Sequence, residues 1–150
     1  MTQFEHESER NWQACLADLV LACAAASPAQ TSVLVRATHA LLIAAPKSWR
    51  GQLADLPSLD RIESQIAVGA DLSAALSLVE GRGSYILSHG PASTHMATVA
   101  FEGICEEASA TGETAALALV GALAAALAGP ALDLGREHMM GFTSPSLRLN

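Results

Sequence analysis

The sequence predicts an α+β protein in which an N-terminal antiparallel helix pair precedes an α-β-β-α module, a small antiparallel sheet packed by helices. Two observations predict this class. Apolar residues recur at three- and four-residue spacing near both ends of the chain, which is typical of helices. Between them, two alternating segments flank Gly90-Pro91-Ala92-Ser93, which has turn composition. Only 4% of residues are aromatic, so the core is expected to be rich in Ala, Leu and Val, which favours helices.

The 150 residues fit a single domain, 1–150. Within it, we expect a helical hairpin over 1–46, a linker with a short helix over 47–69, the α-β-β-α module over 70–128 and a loosely ordered tail over 129–150.

The helical hairpin is predicted from two periodic segments. The first helix is expected over 11–26, with a stripe formed by Trp12, Leu16, Leu19 and Cys23. Ser27 then caps a second helix whose first position is Pro28, where the missing N–H costs no hydrogen bond. This helix runs to Ala45 and ends before Pro46. Because the connection is short, the two helices should pack antiparallel.

The linker leads into two short helices. Asp60 and Glu63 have capping-box spacing, which predicts a helical segment towards Val68. Gly69 interrupts it, and Asp71 is expected to cap the helix that opens the module. The apolar stripe of that helix has i, i+3, i+4, i+7 spacing and consists of Leu72, Ala75, Leu76 and Val79.

The module continues with a hairpin and a last helix. Strands are expected at 84–89 and 94–101, the second with Ala97, Val99 and Phe101 on one face. The polar segment 102–113 is interpreted as a loop. Thr114 caps a final helix over 115–128, where Gly121 and the surrounding alanines form a thin face that permits close packing.

Two segments of the module resemble a known family. Residues 70–79, Ala-Asp-Leu-Ser-Ala-Ala-Leu-Ser-Leu-Val, and residues 114–120, Thr-Ala-Ala-Leu-Ala-Leu-Val, are similar to the two helices of small phage and prophage domains of the ABA-sandwich type. The order helix, hairpin, helix is also similar. The resemblance covers about 70–128 and implies two helices layered on a small sheet, a phage or mobile-element origin and no known enzymatic role.

Charge and cysteine content exclude several classes. The net charge of −7 argues against binding nucleic acids or anionic membranes through phosphate contacts. Cys15 and Cys23 lie eight residues apart in one helix, about 12 Å along its axis, which is too far for a disulfide. Free thiols and the acidic N-terminus, which is unlike a signal peptide, predict a cytoplasmic protein. The uncharged segment at 115–128 is too short to cross a membrane.

The sequence contains three candidate sites. His89, His95 and Glu102 flank the hairpin and are the best metal candidates, although the strand pattern places Glu102 on the opposite face. Cys105 is a weak nucleophile candidate because adjacent glutamates raise a thiol pKa. The acidic residues Glu102, Glu106, Glu107 and Glu113 are either a solvated loop or a docking face for a basic protein.

The leading hypothesis is therefore a non-enzymatic interaction protein of phage or mobile-element origin without a cofactor. It is expected to self-associate, with the uncharged last helix as one candidate interface. It is also a candidate acidic inhibitor of a basic host protein. The alternatives are a small hydrolase or metal enzyme using His89, His95 and Glu102, and a structural component of a virion.

Overall fold

The computed structural model describes residues 2–103 and 107–129, and these residues form helices and one antiparallel sheet. The elements are α1 (Gln3–Ala25), α2 (Thr31–Ile43), α3 (Leu59–Ala67), α4 (Asp71–Val79), β1 (Gly83–His89), β2 (His95–Phe101), β3 (Ala108–Gly112) and α5 (Ala115–Ala128). Short 3₁₀ turns lie at Pro28–Gln30, Lys47–Trp49 and Pro91–Ser93. The predicted α+β class, the N-terminal helices, the hairpin and the last helix are confirmed.

Helix α5 is the centre of the protein. Its residues from Ala116 to Ala128 are all buried. It packs against β2 and β3 and also against α1, α2 and α4. A helix that is apolar on every side is typical of a core position. The prediction that α5 offers a surface for a homodimer is therefore wrong, because its whole circumference is already covered within one chain.

Gly121 shows how closely α5 is enclosed. A Cβ atom at this position would lie 3.2 Å from the Cβ of Ala110 in β3 and 3.4 Å from the Cβ of Cys23 in α1. Both distances are at or below ordinary van der Waals separation. The thin face predicted from the small residues therefore lies where α5 passes between β3 and α1.

Helix α1 is longer than predicted and begins at Gln3 rather than at residue 11. Thr2 and Glu5 form a capping box, in which each side chain bonds to the other residue's backbone N–H. Polar residues after Thr2 continue the helix without an apolar stripe, so periodicity alone placed its start too late. The antiparallel pairing of α1 with α2 is confirmed, since the Trp12 Nε1–H donates to the Leu41 carbonyl over 2.8 Å.

The caps of α3 and α4 lie slightly before the predicted residues. Ser58, not Asp60, is the N-cap of α3, and its hydroxyl accepts from the backbone N–H of Arg61. Ala70 is the N-cap of α4, so Asp71 is its first helical residue. The buried side of α4 differs from the predicted stripe, because Ala75 and Val79 are buried but Leu72 and Leu76 are only half-buried. Helices α2, α3 and α5 all contact α4. Its buried residues are Ala74, Ala75, Ser77, Leu78 and Val79.

Strand β3 was not predicted. It lies within the segment interpreted as a polar loop and pairs antiparallel with β2, from Val99 opposite Ala108 to His95 opposite Gly112. The sheet order is β1-β2-β3. At the end of β3, a Cβ on Gly112 would lie 2.8 Å from the backbone nitrogen of Ala118. The absence of a side chain at Gly112 thus lets the chain turn directly from the strand into α5.

Candidate interaction surface

The elements at residues 2–103 and 107–129 cover only one face of the sheet. The face that contains Val99 and Phe101 packs against α5 and is buried. The opposite face, here named the open sheet face, consists of Ser84, Ile86, Ser88, Met96, Thr98, Ala100, Ser109 and Thr111. These side chains are exposed or half-buried, with Ile86 68% and Met96 47% exposed. None of the eight is charged, although the chain has 23 charged side chains, 8 basic and 15 acidic.

The hydrogen-bond pattern shows which way the backbone of β1 faces. The Glu102 N–H donates to the Arg82 carbonyl over 3.2 Å, and the Gly90 N–H donates to the Thr94 carbonyl over 2.8 Å. Both bonds belong to the β1–β2 register, in which Ile86 lies opposite Thr98. Hydrogen-bonded pairs alternate along an antiparallel ladder. The even-numbered residues of β1 therefore bond to β2. The odd-numbered residues of β1 direct their backbone N–H and C=O groups to the outer edge of the sheet. These residues are Gly83, Tyr85, Leu87 and His89.

The outer edge of β1 lacks the usual protection of an edge strand. Within the part of the chain that the structure describes, no strand pairs with it. Edge strands of monomeric proteins are commonly short, bulged, or blocked by Lys or Pro. Strand β1 has seven residues, an unbroken register with β2, and neither proline nor a Lys, Arg, Asp or Glu. This edge therefore has the features of a strand that accepts a partner strand.

The structure brings His89 and His95 together but not Glu102. The two histidines are directly opposite at the end of the hairpin, and their rings stack with centroids 4.5 Å apart. Glu102 follows the other end of β2, seven residues and about 24 Å from His95 along the strand. Across residues 2–103 and 107–129, no group of three or more His, Cys, Asp or Glu side chains is placed to hold a metal ion.

The predicted acidic residues are also divided by the sheet. Glu102 and Glu107 are exposed at one end, after β2 and before β3. Glu113 is exposed at the other end, and β3 separates it from Glu107 by about 20 Å. Glu106, like the candidate nucleophile Cys105, lies outside the described residues. Docking of a basic protein on these glutamates stays a prediction, and the described geometry favours Glu102 and Glu107 as its centre.

Two polar features were not predicted from the sequence. His39 is buried in α2, and its Nε2 lies 2.8 Å from the Pro57 carbonyl, which fixes the long connection onto the helix. A surface cleft of about 660 Å³ lies between the start of α1 and residues 44–50. Its two carboxylates are already engaged, since Glu5 caps α1 and Glu9 accepts from the Trp49 indole over 2.8 Å. Hydrogen bonds from Thr2 also lower the pKa of Glu5.

The chain matches no protein-family model, no curated protein and no solved structure. The resemblance to phage ABA-sandwich domains therefore stays a prediction. Among the described residues, no helix combines the length and apolar character needed to cross a membrane.

Proposed function

We propose that this protein is a non-enzymatic interaction module that acts as a homo-oligomer and contacts its second copy through its sheet, where the open sheet face adjoins the outer edge of β1. The observation that carries the proposal is the open sheet face, where Ile86 and Met96 are exposed among small neutral side chains. Apolar side chains in an uncharged setting are typical of the centre of protein interfaces, where charged residues are depleted.

The net charge limits where a second copy can bind, and it disfavours the charged surfaces more than the open sheet face. Each chain has a net charge of −7, so two copies repel each other wherever charged surfaces meet. The open sheet face is free of charge, and contact there brings no like charges directly together. A basic partner would instead gain nothing from this face and would be directed towards Glu102 and Glu107.

Phage origin, inhibition of a basic host protein and a role in virion assembly remain hypotheses beside this proposal. The resemblance at 70–79 and 114–120 supports the first, and the exposure of Glu102 and Glu107 supports the second. We also place the protein in the cytoplasm. The free thiols of Cys15 and Cys23 support this, because a reducing compartment maintains such thiols.

Size-exclusion chromatography with light scattering, run over a range of protein concentrations, tests self-association. We expect the mass to approach two chains of 15.5 kDa each, and Ile86→Lys to reduce it to one. Leu21→Lys is the matched control, because Leu21 is 69% exposed on α1, away from the sheet. The dimer should also persist at high salt, since its interface has no charged pairs. A single-chain mass at every concentration would contradict the proposal.

A further inference from the structure

We infer that two copies of this chain join by antiparallel pairing of their β1 strands, so that the two sheets become one continuous six-stranded sheet across a two-fold axis. This inference rests on the proposed function, the association of two copies through the sheet, and places the contact at the outer edge of β1. It differs from stacking of two open sheet faces, because backbone hydrogen bonds between the outer edges of β1 hold the copies together.

The outer edge of β1 offers backbone groups to a partner strand. The odd-numbered residues of β1 direct their N–H and C=O groups outward, as the hydrogen bonds at both ends of the hairpin show. Strand pairing satisfies such groups with well-aligned bonds, and an added strand is a common mode of recognition. With neither proline nor a Lys, Arg, Asp or Glu in β1, nothing in its own sequence opposes such pairing.

Strand β1 is also complementary to itself. Around Ile86 the sequence reads Ser-Tyr-Ile-Leu-Ser, which is nearly symmetric in side-chain character. A two-fold axis at Ile86 places this residue opposite Ile86 of the second copy. It also places Ser84 opposite Ser88 and Tyr85 opposite Leu87. From Ser84 to Ser88, each pair is thus apolar with apolar or hydroxyl with hydroxyl, which are favourable cross-strand pairs. At the ends of β1, Gly83 lies opposite His89.

This register also agrees with the backbone pattern. Tyr85 and Leu87 are both odd-numbered, so their outward N–H and C=O groups face each other across the axis and form a hydrogen-bonded pair. Ile86 contacts its counterpart as a non-hydrogen-bonded pair, in which side chains approach most closely. The pairing therefore adds contacts to the 68% exposed Ile86 on the open sheet face and to the 40% exposed Tyr85 on the opposite face. An isologous contact of this kind closes at two copies.

Proline substitution at an outward position separates edge pairing from face stacking. Tyr85→Pro removes an N–H that does not bond to β2, and proline is tolerated on edge strands where its nitrogen faces outward. Tyr85→Ala is the matched control, because it removes the same side chain but retains the N–H. We expect Tyr85→Ala to remain a dimer and Tyr85→Pro to elute with the mass of one chain, with an unchanged far-ultraviolet circular dichroism spectrum.

Amide hydrogen exchange of the wild-type protein gives a second readout that does not depend on a variant folding. In the dimer, the amides of Tyr85 and Leu87 should exchange slowly, and dilution to the monomer should accelerate them at least tenfold. The Ile86 amide bonds to β2 and should be protected in both states.

Each outcome of these experiments decides between the alternatives. A dimer that survives Tyr85→Pro but is lost in Ile86→Lys would overturn edge pairing while the proposed self-association stands. Protection of Tyr85 and Leu87 in a monomer would show that another segment of the same chain covers the edge, and would overturn the inference. A wild-type monomer with fast exchange at both residues would contradict both this inference and the proposed function.

Discussion

Replacement of Trp12 by Phe should destabilise the protein more than the same change at Trp49. Trp12 is 6% exposed, and its indole N–H donates to the Leu41 carbonyl at 2.8 Å. That carbonyl lies in the last turn of α2, where carbonyl groups have no donor within the helix. Trp12 therefore joins α1 to α2 by apolar contact and also satisfies a carbonyl at the end of α2.

The size of the effect follows from these two contributions. The hydrogen bond to the Leu41 carbonyl is part-buried, and a carbonyl that loses its donor in such a setting costs about 1–3 kcal/mol. The smaller ring of phenylalanine adds about 1 kcal/mol of lost apolar burial. The free energy of unfolding should therefore fall by about 2–4 kcal/mol, which for a chain of this length lowers the melting temperature by about 5–15 °C.

Thermal and urea unfolding, followed by circular dichroism, measure the difference. Trp49→Phe is the control, since Trp49 is half-buried and its indole donates to the Glu9 side chain rather than to a helix carbonyl. It should lower the melting temperature by only a few degrees. If Trp12→Phe melts within about 1 °C of the wild type, or if the control loses more stability, the capping role of Trp12 is refuted.

Three further predictions concern the core. Gly121→Val should reduce the free energy of unfolding by about 1–3 kcal/mol, because even a Cβ at this position would lie 3.2 Å from the Cβ of Ala110. Urea unfolding measures this loss, and a variant as stable as the wild type would contradict the prediction. Thr114→Ala should cost about 1 kcal/mol in the same assay, since the Thr114 hydroxyl accepts a backbone N–H in the first turn of α5. Burial raises the pKa of the Cys23 thiol from 9.0 to about 11, so its contribution to stability is present below about pH 9 and is lost as the pH rises through 11. Iodoacetamide at about pH 8 should accordingly label the exposed Cys15 but leave Cys23 unmodified until urea unfolds the protein, and equal labelling by mass spectrometry would argue against this environment.

The elements that could be predicted are those with signals in their own sequence. Helix α5 was predicted over 115–128 because Thr114 has cap chemistry and Gly129-Pro130 stops the helix, and the structure has these bounds. Strands β1 and β2 were predicted because turn residues separate them, and they pair in the expected hairpin. Each of these signals is local, so one segment is enough to recognise it.

The elements that were missed depend on residues far away in the chain. The alternation in β3 is between small residues, such as Ala110 and Thr111, whose apolar contrast is too weak to indicate a strand. The strand becomes evident only when β2 pairs with it. Similarly, the sequence of α5 predicts a thin face at Gly121 but does not show which elements cover the helix, namely α1, α2, α4 and the sheet. Alanine does not reveal burial from sequence because it is common both inside proteins and on helix surfaces.

The candidate site depends on β3 for the same reason. Strand β1 is uncharged, but whether an uncharged strand indicates a contact surface depends on its place in the sheet. If β3 paired with β1, then β1 would be the central strand. Its seven uncharged residues would then have neighbours on both sides and would need no strand from another molecule. Because β3 pairs with β2 instead, β1 is an edge of the sheet. The strand order therefore places the neutral sequence around Ile86 at an exposed edge of the sheet, whereas in a central strand the same sequence would be ordinary. Among the residues that the structure describes, the charged side chains lie outside β1, so the proposed pairing of two copies at this edge would bring no like charges directly together.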